Sequence, residues 1–402
     1  MPRAAFAFVA LALLALVIAG CGGGGSTTTS GEATAASGEA TATSEAKAHT
    51  EVSSARAEEA KAAALKDAQP KVAAPTGKSI GFMYLSKSTE GSVHLLEGLE
   101  EVASLFNFKV TTCDPNFEPA KVAQCMTTLV AQNPSLIILS AQSPAVLGGD
   151  LKTASERHIP VIVEGALQAP SPYFTAQYVP NEKLITKALD KWLFGLVEER
   201  IGEEKGVVAA FQAPTVGPGV NERDEQRRAD LKSYPNLSEQ THDIDLPNAI
   251  QDTLAQTKTF AQQNPDLQAL WQTCEFCAPP MGQALTQLGL QGEKRPFTGA
   301  FYTTKQSREM IKTGELSGAV EINWPAMSWV AMDQALQYWA RKTPFAKTNA
   351  VFQNGYGIEM LEPWIVTQEN VGNPAVVNNE GEDYVTYFET KWNAEFGVGK
   401  AG

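Results

Sequence analysis

The chain has 402 residues, with 32 basic and 45 acidic side chains, a net charge of −13 and 43 % hydrophobic residues. No basic patch stands out, which argues against a nucleic-acid partner. After the N-terminal run described next, no apolar stretch is long enough to cross a bilayer as a helix of ~20 residues.

Residues 1–20 have the layout of an export signal. Arg3 gives a positive start, Phe6 to Ile18 is an unbroken apolar or alanine run, and Ala19-Gly20 are small residues at a cleavage point. "VIAGC" then places Cys21 where a bacterial lipoprotein carries its lipidated cysteine, and the resemblance implies a membrane anchor of two or more acyl chains. Residues 21–75 read as a lipid-anchored flexible linker rich in Gly, Ser, Thr, Ala and Glu, too poor in large apolar side chains to fold. As a coil, 22–75 would reach on the order of 40 Å. The alanine-rich part, 44–69, favours local helix but lacks an apolar stripe, so a solvated spacer is expected there.

Past the tether the pattern alternates. "KSIGFMYLS" is a buried strand, and "SVHLLEGLEEVASLF" an amphipathic helix with Val93, Leu96, Leu99 and Val102 on one face. Strand "FKVTTC", helix 119–132, strand "SLIILS", helix 145–157 and strand "IPVIVEG" follow. The alternation then restarts with "YFTAQYV", helix 181–199, "GVVAAFQ", helix 223–234, "LQALWQT", "PPMGQALTQLG", "FTGAFY" and "SREMIKTGEL". Repeated β-α units imply parallel sheets covered by helices on both faces. Two such lobes in one exported chain predict an α/β protein whose ligand sits in the interlobe cleft, at the carboxyl ends of the strands.

Four cysteines remain: Cys113 and Cys125, at a strand end and in the following helix, and Cys274 and Cys277, a CxxC in "WQTCEFCAPP". Two structural disulfides are the leading reading for an exported protein. Free thiols, a metal site or thioredoxin-like chemistry are the alternatives. The metal reading needs further ligands that no nearby Cys or His pair supplies, and Trp271 is misplaced for a redox motif.

The chain resembles the type I periplasmic binding proteins of ABC importers, in particular the ribose/galactose-like sugar-binding branch. The resemblance runs from Lys78 to Val371 and is carried by "IGFMYLS", "PAKVAQCMTTLVAQNPSLIILS", "ERHIPVIVEG", "REMIKTGELSGAVEINWP" and "PWIVTQENV". It implies two doubly wound lobes joined by a three-segment hinge: 78–176 with 323–355, and 177–322 with 356–372, leaving 373–402 as a C-terminal tail. It also implies a site at Arg223, eleven residues before Tyr234-Pro235, with Glu275, Tyr302, Glu164, Ser88 or Thr89, and Asn323 at the family's other contact positions. Several of those positions are altered. Tyr302 stands where the family has a carboxylate, and the first-loop stacking ring falls on Gly91-Ser92.

Trp324 is open between cleft and core, core packing leads for Trp329 and Phe276, and His94 reads as a packing or surface residue. The sequence has no G-x-x-x-x-G-K-[ST], H-E-x-x-H or G-x-S-x-G, and no catalytic residue, cofactor or metal is expected. The expected role is a monomeric, extracytoplasmic, lipid-tethered receptor that hands a monosaccharide or polyol to an ABC permease with a cytoplasmic ATPase. The alternatives are a ligand-sensing receptor of the same fold, a binder of an aromatic or nitrogenous solute and, remotely, a thiol oxidoreductase using the CxxC.

Overall fold

The computed structural model describes residues 54–347, 361–374 and 383–399. The signal segment, Cys21 and the first part of the tether lie outside these residues, as does the hinge crossing expected near 355. No helix among the described residues is long and apolar enough to cross a membrane.

Two sheets organise the chain. The first holds β1 (Ser79–Met83), β2 (Lys109–Cys113), β3 (Leu136–Ser140), β4 (Val161–Glu164) and β5 (Ala176–Tyr178), all parallel in the order β2-β1-β3-β4-β5. Its central strands are buried on both faces, with Ile80, Phe82, Ile138 and Ile162 on one side and Met83, Ile137, Leu139 and Val163 on the other. That is why they read as continuous apolar runs. Helices α2 (Glu90–Phe106), α3 (Pro119–Ala131) and α4 (Gly148–Glu156) connect them.

The second sheet contains β6 (Gly206–Gln212), β7 (Leu237–Asp243), β8 (Leu267–Gln272), β9 (Phe297–Phe301), β10 (Gly318–Glu321) and β11 (Trp364–Thr367), in the order β11-β10-β9-β8-β6-β7. Only β11 runs antiparallel. Its connecting helices are α5 (Glu182–Ile201), α6 (Pro218–Asp230), α7 (Ala249–Gln263), α8 (Ala278–Gln287) and α9 (Lys305–Thr313). The chain leaves the first sheet between β5 and α5 and returns after β10 as α10 (Trp324–Arg341), which packs on α2 and β4. Gly98 permits that packing: a Cβ there would lie 2.6 Å from the Pro325 carbonyl oxygen.

The expected spacer and tail both turn out to contain packed structure. Helix α1 (Ser54–Asp67) lies against the C-terminal helix α11 (Asp383–Phe396). Ala60, Ala64, Tyr384 and Trp392 are buried in the same core as α2 and α10. Trp392 stacks on Trp329 with ring centroids 5.2 Å apart, and its indole N–H donates to Asp333 at 2.8 Å. Glu395 is fully buried and accepts from the Gln69 backbone N–H at 2.7 Å and from Gln337. Alanine supplies little transfer energy, so α1 carries no apolar stripe in sequence; its small side chains serve close approach to the larger α11.

Candidate functional site

A cavity of about 80 Å³ lies between the two sheets. Its lining falls at the carboxyl ends of the strands. The first sheet's side supplies Thr89, Ser92, Ser140, Gly165 and, at the start of α10, Trp324; the second supplies Ala213, Thr273, Glu275, Phe276 and Tyr302.

The two sides touch across this cavity. Glu90, in the first turn of α2, accepts from Arg308 of α9 at 3.0 Å and from the Lys305 backbone N–H. Phe117 meets Phe276 with centroids 5.8 Å apart, and the Gly219 N–H donates to the Leu167 carbonyl at 3.0 Å.

At the centre is Arg223, only 5 % exposed. Its Nε and Nη2 each donate to Glu182 at 2.8 Å, forming a two-pronged pair, and Nη1 donates to the Thr273 carbonyl at 2.6 Å. The guanidinium also lies over the Phe301 and Tyr302 rings, 4.3 and 5.1 Å from their centroids. Burial pushes the Glu182 carboxyl up and Arg223 draws it down, while Glu182 holds Arg223 charged. The fork geometry is that of an ionised pair. Pro218 starts α6 five residues before Arg223, which places that side chain within the helix and not on a solvated run.

Tyr302 follows β9 in a left-handed backbone conformation, φ 65°, a strained state for an aromatic residue and one that turns its ring into the cavity. Its ring meets Trp324 edge-on at 4.5 Å. The Trp324 indole N–H donates to Glu321 at 3.1 Å, and Glu321 also accepts from the Thr303 N–H at 2.9 Å. Gly91 makes room for this indole, since a Cβ there would lie 3.1 Å from it. The first loop therefore lacks a ring of its own because a ring from α10 occupies the space.

Five of the eight residues expected at the site line the cavity: Thr89, Arg223, Glu275, Tyr302 and Trp324. Ser88 is exposed and bonds Ser86 at 2.8 Å; Asn323 is buried at the start of α10; neither is part of the lining. Glu164 is also outside the lining and fully buried, and burial pushes it up to about 8. Ser328 Oγ sits 2.8 Å from the Leu95 carbonyl and 2.7 Å from Glu164 Oε2. One hydroxyl proton cannot serve two acceptors. A protonated Glu164 that donates to Ser328, which in turn donates to Leu95, satisfies both contacts.

Sequence reasoning missed Glu182, Glu90, Glu321 and Phe117, and assigned Phe276 to the core although it lines the cavity. Trp329 does pack in the core. His94 lies in the α2 network: its Nδ1 is 2.7 Å from Glu97, and Glu90 and Glu97 together push it up to about 9 against the effect of its burial. For Glu182 a signal was present, as an acid one residue past the N-cap Asn181 of a long helix, but nothing in sequence tied it to Arg223.

Both expected disulfides are formed, Cys113–Cys125 and Cys274–Cys277. The second closes a short turn before α8 that carries Glu275 and Phe276 into the cavity wall.

Residues 80–343 match the family described as periplasmic binding protein domain, and the chain belongs to it. No protein of curated function matches the chain by sequence. Among solved structures it is similar to a carbohydrate transporter solute-binding protein from Agrobacterium radiobacter in complex with D-arabinose: TM-score 0.63, 17 % identity, 75 % of this chain and 99 % of that one covered. An ABC transporter solute-binding protein from Agrobacterium vitis bound with α-D-tagatopyranose has TM-score 0.63 and 16 % identity, over 75 % of this chain and 98 % of the other. A Mycobacterium smegmatis structure in complex with β-D-fucofuranose has TM-score 0.63 and 13 % identity, with coverage of 78 % and 98 %. At these identities the likeness shows the fold alone, that of the type I periplasmic binding proteins.

Proposed function

We propose that the chain is the solute receptor of an ABC importer, closing on one monosaccharide- or polyol-sized molecule and presenting it to a membrane permease. The observation that carries this reading is the small cavity at the strand ends of both sheets, spanned by contacts from each side. Such a cleft opens and closes by rotation about its connections, here the β5–α5, β10–α10 and the third crossing that lies outside the described residues. The 78–176/323–355 and 177–322/356–372 lobes would then be the moving bodies. Sugars and polyols are the first class to test because the similar structures hold them. No residue of the cleft is assigned a catalytic role. Cys21 would tether the receptor to the outer face of the cell membrane.

The test is thermal unfolding of the chain against a panel of monosaccharides and polyols. A solute at a hundred times its dissociation constant should add about 2.7 kcal/mol. Such a shift supports the receptor and its ligand class; no response to any sugar or polyol would overturn the class. The protein used should begin before residue 54, since α1 is part of the packed core.

A further inference from the structure

The charged groups around the cavity are committed to one another, with one exception. Glu182 is held by Arg223, Glu90 by Arg308, and Glu321 by Thr303 and the Trp324 indole. Arg223 directs Nε and Nη2 to Glu182, Nη2 also to Tyr302, and Nη1 to the Thr273 carbonyl. Glu275 lines the cavity at 8 % exposure, and its carboxylate accepts from its own backbone N–H. Among the described residues no side-chain donor reaches it. The walls nearby are aromatic: Phe117, Phe276, Tyr302 and Trp324.

We propose that the solute carries a protonated amine that docks on Glu275, its body resting against these rings, as an amino sugar or amino polyol would. The proposal rests on the reading of this cleft as the solute site. Arg223 acts on this carboxylate only through space, its side-chain bonds going elsewhere. A buried carboxylate with no hydrogen-bonded cation is costly, and an ammonium supplies both the charge and the hydrogen bonds, where a hydroxyl supplies only a hydrogen bond. Ring faces also favour a cation. An anionic solute finds no uncommitted cation here among the described residues, because Arg223, Arg308 and His94 are each engaged by a glutamate. Burial pushes Glu275 up to about 7 although Arg223 draws it down, and an ammonium within hydrogen-bond reach would hold it ionised. The Cys274–Cys277 bridge holds the carboxylate in the wall.

The experiment is thermal unfolding of the full chain in mild detergent at pH 7.5, with matched probes: glucosamine against glucose, galactosamine against galactose, glucamine against sorbitol, and cyclohexylamine against cyclohexanol. The expected result is that, in at least one sugar or polyol pair, the amine acts at a concentration ten-fold or more below its hydroxyl counterpart, and that Glu275→Gln removes the preference. Shifts equal within a pair, or stronger for the hydroxyl compound, overturn the amine while leaving a sugar receptor. A shift with cyclohexylamine alone keeps the amine and discards the sugar. No shift within any pair overturns both. The comparison within pairs uses the unaltered chain, so it stands whether or not the variant folds.

Discussion

The two walls of the cleft solve the same problem in opposite ways. On the first sheet's side the polar groups behind the strand ends are hydroxyls and a raised carboxyl bonded to one another: Ser92 to Ser140 at 2.7 Å, Thr89 to the Ser86 carbonyl at 2.7 Å, and Glu164 to Ser328. On the second sheet's side the central bonds are charged, with Arg223 joining Glu182 and the Thr273 carbonyl. A neutral wall asks little of a ligand. On the charged wall a buried carboxylate with no hydrogen-bonded cation, such as Glu275, is the group that the proposed ammonium would complete.

The largest effect that would test this contrast is on the charged wall. Arg223→Ala leaves the fully buried Glu182 without its partner, and a loss of about 3–5 kcal/mol is expected in urea unfolding. A loss below about 1 kcal/mol would mean that the pair is solvated and the walls are alike. On the neutral wall the prediction has a sign. Glu164 is raised from 4.5 to about 8, so the unfolded chain gives up this proton first as pH rises. Its contribution is complete below pH 4.5, falls by up to about 1.4 kcal/mol per pH unit towards pH 8, and is flat beyond. Glu164→Gln keeps a donor for Ser328 and removes that slope. The stability of the variant relative to the parent, measured by urea midpoints from pH 5 to 8, should therefore climb. A constant difference would show that Glu164 is ionised when folded.

How much of this was legible in the sequence follows the same physics. The strands buried on both faces, such as "SLIILS" and "GVVAAFQ", announced themselves as apolar runs. Strand β7, "LSEQTHD", did not, because it is an edge strand with most side chains exposed or half-exposed. Helix α1 was hidden because alanines packed on a distant helix look like a spacer until Trp392 and Tyr384 are placed beside them. At the site, Glu275 and Tyr302, just past strand ends, and Arg223, in α6, were named through the family resemblance and line the cavity. Glu182 and Glu321 were missed since each acquires its role from a partner 41 or 18 residues away, at Arg223 and Thr303.

The two disulfides offer the finest separation of the walls, because the same bond has different work in each. Cys113–Cys125, 12 residues apart, ties the end of β2 to α3 away from the cavity; Cys274–Cys277, 3 apart, shapes the turn that presents Glu275 and Phe276. Loop-closure entropy grows with the enclosed length, so replacing the first pair by serines should cost about 3 kcal/mol and the second about 2. Solute affinity should reverse that order. Freeing the 274–277 turn lets the carboxylate and ring lose their fixed positions, and binding then carries the entropy of ordering them again, roughly 0.5–1.5 kcal/mol per side chain. The affinity of the Cys274→Ser/Cys277→Ser protein for whichever solute shifts unfolding most should accordingly fall about five- to 150-fold, while Cys113→Ser/Cys125→Ser leaves it within two-fold. Titration calorimetry on both variants decides it. Equal affinities would reduce the second bridge to a staple like the first, and Glu275 would then owe its position to the packing of α8 alone.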